Sequence, residues 1–271
     1  MTVKIGDSGE KVKEVQELLT KHGINVSVDG DFGPKTETAV KSFQQSRGLA
    51  IDGIVGLITM AHLRITGEKV NAKPSESKFH QDIISAMNKM GATIHQKDYH
   101  LNLIGLRKIP GSPNAFDDLL VSFYQKNGVT VWHEWPITAD PGVYWLQHPE
   151  RVDGTAILLP GYYPNCWKLG LHKGQYEALI QSNSATFKVW RDANRNRNID
   201  YTGTIYDNVT GLNCHRAGKA SVQVEKWSAA CQVHAKEANF YEMMSLVHKQ
   251  IDAGKETFDY TLLEWDGANI L

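Results

Sequence analysis

The spacing of apolar residues divides the chain into a helical first part and a strand-rich second part. Before residue 66, apolar side chains recur at helical intervals, as between Val12 and Leu19, which is typical of a helix with one buried face. A second helix is predicted from Pro34 to about Gly48, because proline suits the first turn of a helix. A third, short helix is predicted at 57–63. Residues 1–65 therefore predict a small three-helix domain.

A polar segment separates this domain from the rest of the chain. Residues 66–78 contain Pro74 and serines but almost no apolar side chain, so we interpret them as a linker. A helix is predicted to follow at about 79–90, because Ile83, Ile84 and Met87 fall on one side of it.

Beyond residue 100 the apolar residues alternate with polar ones, which predicts β-strands. A helix at about 238–253 interrupts this pattern. The predicted strands are 100–107, 119–124, 129–135, 155–159, 186–190 and 258–264. We therefore expect an α+β protein, in which a small three-helix domain is joined by the linker to a mostly β domain with flanking helices at 79–271.

Composition excludes several classes of partner. The 271-residue chain has a formal net charge of −1 and no long basic run, which argues against nucleic-acid binding. No apolar stretch reaches the roughly 18 residues of a membrane span. The first residues lack the apolar core of a secretion signal, so we expect synthesis in a cytoplasm. We also expect a monomer.

The cysteines indicate reactivity or burial rather than cross-linking. Cys166, Cys214 and Cys231 are odd in number, and no C-x-x-C spacing of a zinc site is present. Residues 192–200 carry oxygen-bearing side chains at alternate positions but lack the glycine and the last acidic residue of a calcium loop. We interpret that stretch as a polar hairpin loop, and we expect no metal and no cofactor.

Two stretches of the first domain repeat each other. Residues 28–36 and 51–59 both read apolar-Asp-Gly-x-x-Gly-x-x-Thr, and each leads into a predicted helix. The glycines suit a tight turn, and an Asp side chain can bond its own backbone there. With the upstream run 5–19, residues 3–65 resemble the three-helix peptidoglycan-binding domain of cell-wall enzymes. The resemblance implies contact with wall peptidoglycan, and the candidate residues are Asp29, Gly30, Phe32 and Thr36.

A second motif carries candidate chemistry. His215 lies on a predicted strand, and Ser228 and Cys231 lie at the start of the next apolar segment. A thiol has a pKa of about 8.5 and needs a nearby base to become a nucleophile. We therefore interpret Cys231 as the nucleophile, His215 as its base and Ser228 as a residue that orients the turn. Backbone N–H groups near Cys231 are candidates to hold an oxyanion.

This motif resembles the catalytic domain of L,D-transpeptidases. That family has a His on a strand followed by Ser/Thr-His-Gly-Cys, which places the base at His215, the hydroxyl residue at Ser228 and the nucleophile at Cys231. The chain departs from the family at Ala229 and Ala230, where the family has His-Gly. An alanine in place of that glycine requires a compatible backbone angle.

Two further residues are candidates for substrate binding. His172 lies between Gly170 and Gly174, which would let a substrate approach the backbone, and it is a candidate either to bind substrate or to support the catalytic pair. Arg216 follows the proposed base and is a candidate to pair with a peptide carboxylate.

The two resemblances together imply a modular, endolysin-like peptidoglycan hydrolase. The first domain would anchor the protein to the wall, and the second would cleave the stem peptide or its cross-link through Cys231 and His215. Without a secretion signal, the protein would be made in a host cytoplasm and act after release. The alternatives are a cross-linking transpeptidase, a zinc-dependent peptidase or amidase that would draw on residues such as His133, and a wall-binding protein without activity.

Overall fold

The computed structural model describes residues 2–46, 51–56, 59–60, 63, 77–183, 185–218 and 221–271. The chain divides into two compact units, 1–75 and 76–271, which are described separately. Most of the predicted linker lies outside the described residues, as does most of the third predicted helix. The described residues of that helix, Thr59, Met60 and Leu63, are helical.

The first unit is built from two described helices, α1 (Glu10–Lys21) and α2 (Pro34–Ser46). The apolar positions of α1 are buried, as the helical spacing predicts. They form one core with side chains of α2 and of the segments around it, which includes Val15, Leu19, Phe32, Val40, Phe43, Val55 and Leu63. Short bridges between Val3 and Val55 and between Ser8 and Asp31 join these segments.

The second unit begins with α3 (Lys78–Lys89), whose first turn is capped because the Ser77 side chain accepts the His80 N–H. Eleven strands follow within the described residues: β1 (Asn102–Lys108), β2 (Asp118–Lys126), β3 (Val129–Thr138), β4 (Thr155–Leu158), β5 (Gly161–His172), β6 (Tyr176–Gln181), β7 (Phe187–Asp192), β8 (Ile205–Val209), β9 (Cys214–Arg216), β10 (Gln232–His234) and β11 (Thr257–Trp265). Two helices, α4 (Val143–Gln147) and α5 (Glu237–Asp252), complete the unit.

Eight of the strands close into a barrel in the order β1-β11-β5-β6-β9-β10-β3-β2. The pairs β1/β11 and β9/β10 are parallel, and the other pairs are antiparallel. The remaining strands form a separate sheet in the order β4-β7-β8. The parallel β9/β10 pair sets the candidate site, because it brings the segment before β10 alongside the segment before β9.

Apolar side chains fill the barrel and cover part of its outside. Trp135, Trp167 and Tyr260 share one core with Phe240 and Val247 of α5. A second cluster packs Ile83 and Met87 of α3 against side chains of β1, β2 and β11. This arrangement confirms the expected α+β class, with a helical first part and a mostly β second part flanked by helices. None of the described helices is long and apolar enough to cross a bilayer.

Candidate active site

Cys231 and His215 lie on neighbouring segments of the barrel. The parallel β9/β10 register sets Val233 opposite His215 and Gln232 opposite Cys214. Cys231 and His215 are therefore diagonal neighbours, with Cα atoms roughly 8 Å apart from the strand spacing and rise. The connection between the two strands crosses over instead of forming a simple hairpin, since the strands are parallel.

The His215 ring is held as the tautomer that a general base requires. Its Nδ1 lies 3.0 Å from the carbonyl oxygen of Arg216, which can only accept, so the proton of the neutral ring sits on Nδ1 and Nε2 is free to accept. Burial lowers the pKa of His215 to about 3. The residue is 3% exposed. Among the described residues, some side-chain polar atoms are both inaccessible to solvent and without a hydrogen-bond partner, and neither nitrogen of His215 is one of them.

Cys231 is the most exposed of the three cysteines. Cys166 and Cys214 are fully buried, whereas Cys231 is partly exposed. Its Sγ lies 3.5 Å from the backbone N–H of Asn213, which donates to it, and 3.6 Å from the carbonyl oxygen of Gly211. Desolvation raises the pKa of the Cys231 thiol, and the Asn213 N–H opposes that rise.

The resting pair is therefore a neutral thiol beside a neutral imidazole. No hydrogen bond joins Cys231 to His215 among the described contacts. Catalytic hydrogen bonds are often long before substrate binds and tighten in the complex. The arrangement suits a proton transfer that takes place as the sulfur attacks, and it does not suit a stored thiolate–imidazolium pair.

Ser228 shapes the turn that presents Cys231. Its hydroxyl donates to the Cys231 carbonyl oxygen at 2.9 Å and accepts the Ala230 N–H at 3.2 Å. The Ala230 N–H is thereby occupied and is not available to an oxyanion. The Cys231 N–H has no hydrogen-bond partner among the described residues, so it is the candidate oxyanion donor of the turn.

Ala230 adopts a backbone angle that favours glycine. Its φ is 119°, in the region that costs an L-residue roughly 1–3 kcal/mol. The residue is 1% exposed, so its methyl group is packed where it stands. The turn before the nucleophile is therefore held in a strained conformation by its surroundings.

Those surroundings include Gly142, which sequence reasoning missed. The Gly142 N–H donates to the Ser228 carbonyl oxygen at 2.9 Å. A Cβ on Gly142 would lie 1.9 Å from the carbonyl oxygen of Glu225, so only glycine fits this approach. Asn114 supports the same loop, because its Oδ1 accepts the N–H groups of Glu225 and Val143.

The structure places His172 directly against the proposed base. The rings of His172 and His215 are nearly parallel, with centroids 4.1 Å apart and planes inclined by 21°. The Nδ1 of His172 lies 3.3 Å from the side-chain nitrogen of Asn213. This position fits the predicted role of supporting the catalytic pair.

Arg216 already has an internal partner. Its guanidinium lies 3.3 Å from the Glu237 carboxylate and 4.5 Å from the centroid of the Tyr176 ring. A peptide carboxylate would have to displace Glu237 to pair with it. Lys173, in the turn after His172, is exposed and has no ion pair among the described residues, so it is the freer cation near the pair.

The predicted wall-contact residues of the first unit belong to its fold. Gly30, Phe32 and Thr36 are buried, so they offer no side chain to a ligand in this structure. Asp29 is exposed, but its Oδ1 accepts the Asp31 N–H and the side chain of Gln16. These hydrogen bonds hold the pKa of Asp29 below its ordinary value.

A buried glutamine explains why the Asp-Gly motif occurs twice. The Gln16 amide donates to Asp29 Oδ1 at 2.8 Å and to Thr36 Oγ1 at 3.1 Å, and its oxygen accepts the Gly30 N–H at 2.9 Å. The second copy repeats this arrangement around Gln44, which bonds Asp52, Gly53 and Thr59 at 2.8, 2.9 and 3.3 Å. The repeated residues therefore fold the domain.

One surface cavity of the first unit lies away from these residues. It has a volume of about 720 Å³ and runs between the 24–27 segment and α2. Its lining includes Ile24, Asn25, Lys35, Thr38 and Ser42. This mixed polar and apolar surface is a candidate ligand site that no sequence pattern marked.

The described residues include no group of three or more His, Cys, Asp or Glu side chains placed to hold a metal ion. In the polar stretch 192–200, the Asp192 carboxylate accepts backbone N–H groups of Asn194 and Asp200. The His133 ring, considered for a zinc site, pairs with Glu242 at 3.3 Å.

Comparison with known proteins identifies the first unit. Residues 8–63 match the family described as "Putative peptidoglycan binding domain". The zinc D-Ala-D-Ala carboxypeptidase of Streptomyces albus G is 43% identical over 61 residues, which are 21% of this chain and 24% of that protein. The N-acetylmuramoyl-L-alanine amidase CwlL of Bacillus licheniformis is 43% identical over 63 residues, which are 21% of this chain and 18% of that protein. The matches thus span about a quarter or less of these relatives.

A solved structure was also matched over most of the chain. It is an L,D-transpeptidase from Stackebrandtia nassauensis, 13% identical, with 96% of this chain and 94% of that one covered and a TM-score of 0.36. At that score the two folds differ too much for the match to support a shared activity. The activity of the second unit is therefore inferred from its own geometry.

Proposed function

We propose that this protein is a cysteine-dependent peptidoglycan hydrolase that cleaves the stem peptide or its cross-link. The observation that carries the proposal is the partly exposed Cys231 on the segment next to His215, whose ring is held with its proton on Nδ1 by the Arg216 carbonyl oxygen, so that Nε2 can accept. The family match of residues 8–63 supports the wall as the substrate.

The first chemical step follows from the neutral resting pair. As Cys231 Sγ attacks the carbonyl carbon of an amide, His215 Nε2 takes the thiol proton. The carbonyl oxygen becomes negative and accepts the Cys231 N–H, which has no other partner in the described part of the chain. The doubly protonated His215 ring then stays aligned by its Nδ1–H bond to the Arg216 carbonyl oxygen.

The intermediate then collapses with release of an amine. His215 returns its proton to the leaving nitrogen, the C–N bond breaks, and the acyl group remains on Cys231 as a thioester. Water, deprotonated by His215, attacks the thioester and frees the thiol. Since Cys231 is partly exposed, water can reach this intermediate, which favours hydrolysis. An amine acceptor would give transpeptidation by the same steps.

The first unit serves as the wall anchor in this proposal, with the cavity along α2 as its candidate contact surface. The protein would then act as a modular, endolysin-like enzyme that is made in a host cytoplasm and reaches the wall after release. Tethering the second unit to its insoluble substrate raises the local substrate concentration without any new contact at the active site.

Purified sacculi test the proposal. We expect the full chain to release soluble peptide fragments, and Cys231→Ala to release none while still sedimenting with the sacculi. Cys214→Ala is the matched control, because it removes a nearby thiol that is buried. Cys214 lies opposite Gln232, the residue that follows Cys231. Mass analysis of the fragments identifies the bond that is cut. Sacculi left unaltered by the wild-type protein would overturn the enzymatic proposal and leave the binding role.

A further inference from the structure

Asn213 contacts both the proposed nucleophile and the ring beside the proposed base. Its backbone N–H donates to Cys231 Sγ, and its carbonyl oxygen accepts the Gln232 N–H at 2.9 Å. Its side-chain Oδ1 accepts the Gln181 N–H at 2.9 Å. Because a backbone N–H only donates, the atom that faces Gln181 must be the oxygen, and the amide nitrogen must face His172.

This orientation determines which nitrogen of His172 carries the proton. The Asn213 amide nitrogen lies 3.3 Å from His172 Nδ1, and an amide nitrogen is only a donor. Nδ1 must therefore accept, and the proton of the neutral ring must sit on Nε2. Burial lowers the pKa of His172, and the charge of Lys173 acts in the same direction, so both favour the neutral ring.

The Nε2–H of His172 is available to a ligand. It has no hydrogen-bond partner among the described residues. It is also not one of their polar atoms that are inaccessible to solvent and unpartnered, in contrast to both nitrogens of His234. The stack on His215 keeps the ring next to the catalytic pair. The site therefore presents a fixed, neutral N–H donor that the mechanism above does not use.

We propose that Asn213 holds His172 as its Nε2–H tautomer and that His172 donates this hydrogen bond to the carbonyl oxygen that becomes negative when Cys231 attacks. The inference rests on the proposed function. The Cys231 N–H and the His172 Nε2–H would then be the two donors to the oxyanion. His172 transfers no proton, since His215 accepts the thiol proton. Asn213 is a positioning residue.

Nitrogen NMR of the full chain, with ¹⁵N-labelled histidine, tests the tautomer without any activity measurement. The His172 signals are identified by their loss in His172→Gln. We expect a protonated Nε2 and a bare Nδ1 in the wild type at pH 7. In Asn213→Asp the group that faces Nδ1 becomes an acceptor, so the proton should move to Nδ1. A wild-type ring with Nδ1–H, or a tautomer unchanged by Asn213→Asp, overturns the inference.

Two substitutions of His172 separate the donor from the stacked ring. His172→Gln retains an amide N–H near the position of Nε2 and should keep kcat within about tenfold of the wild type. His172→Phe retains the ring but no donor, so kcat should fall about 10²–10³-fold, with little change in KM. Unchanged Cys231 alkylation in His172→Phe shows that the site is folded.

The outcomes distinguish this inference from the proposed function. Full activity of His172→Phe overturns the donor role of His172 and leaves the role of Cys231 as the nucleophile unaffected. Wild-type inactivity on sacculi overturns the proposed function and, with it, the donor role, whereas the NMR measurement still decides how Asn213 holds the ring.

Discussion

We expect alkylation of Cys231 to accelerate with pH from pH 5 to beyond pH 8, with no plateau below pH 7. The reason is that the two groups of the pair are both neutral at rest. Burial lowers the pKa of His215 to about 3 and raises that of the thiol. A thiolate–imidazolium pair would require the opposite order of pKa values.

The size of the effect follows from the gap between the two pKa values. An ordinary thiol has a pKa of about 8.5, and that of Cys231 lies above its ordinary value, so the gap to His215 exceeds roughly five pKa units. Proton transfer within the resting pair therefore costs roughly 7 kcal/mol or more. At pH 7 the thiolate fraction is below roughly 3%.

The assay is the rate of iodoacetamide alkylation, followed by the intact mass of the full chain between pH 5 and pH 10. Cys231→Ser should abolish the adduct, because Cys166 and Cys214 are fully buried. His215→Ala should leave the pH profile of alkylation unchanged while abolishing turnover. A rate plateau below pH 7 that disappears in His215→Ala would refute the reasoning, since it would reveal a stored ion pair.

Three further substitutions test the packing around the two candidate sites. Gln16→Leu removes the four hydrogen bonds of a buried side chain and should destabilise the first unit by about 3 kcal/mol, measured as faster amide exchange in that unit of the full chain. Gly142→Ala introduces a clash and should cost about 1–3 kcal/mol in unfolding free energy and lower turnover. His234→Met removes two unpartnered buried nitrogens and should raise the free energy of unfolding by about 1–3 kcal/mol at pH 7, measured by thermal unfolding. Burial lowers the pKa of His234 to about 3, so its proton uptake on unfolding destabilises the fold as the pH falls from about 6.5 towards 3, and the variant should lose that part of the acid sensitivity.

Each of these substitutions has a control or a contradicting outcome. Glu17→Leu changes an exposed neighbour of Gln16, and equal exchange in both variants would contradict the role of the glutamine. Gly161→Ala meets its nearest atom at 3.6 Å and should be tolerated. If His234→Met lowers the free energy of unfolding and leaves its dependence on acid pH unchanged, the buried imidazole does not destabilise the fold.

The regular elements could be predicted because their apolar periodicity matches their burial. The helices around Val15 and Ile83 lie where the pattern placed them, as do β1, β2, β3 and β11. β5 was missed, because Pro164 and Asn165 interrupt its alternation. Its pairing with β11 and β6 supplies what the local pattern lacks.

The Asp-Gly repeat was visible in the sequence, but the residue that explains it was not. Gln16 precedes Asp29 by 13 residues, whereas Gln44 precedes Asp52 by 8. Since the spacing differs between the two copies, no fixed pattern includes the glutamines. Only the packing of the two helices shows that each glutamine fills the same place.

The candidate site could be predicted in part. Ser228 and Cys231 are close in the sequence, and His215 lies on a predicted strand that precedes their segment. Asn213 was overlooked although it lies two residues before His215, because its role depends on β5 and β6. Gly142 is distant in the sequence and approaches the loop only through the fold.

The intact mass of the protein, acid-quenched within seconds of mixing with stem peptide, tests the central claim most directly. A covalent intermediate should appear as the mass of the protein plus one acyl fragment, mapped to Cys231 and released by hydroxylamine as expected for a thioester. Cys214→Ala should form the same adduct, and Cys231→Ala none. Peptide cleavage without any adduct, or cleavage that persists in Cys231→Ala, would contradict the claim that this sulfur attacks the substrate.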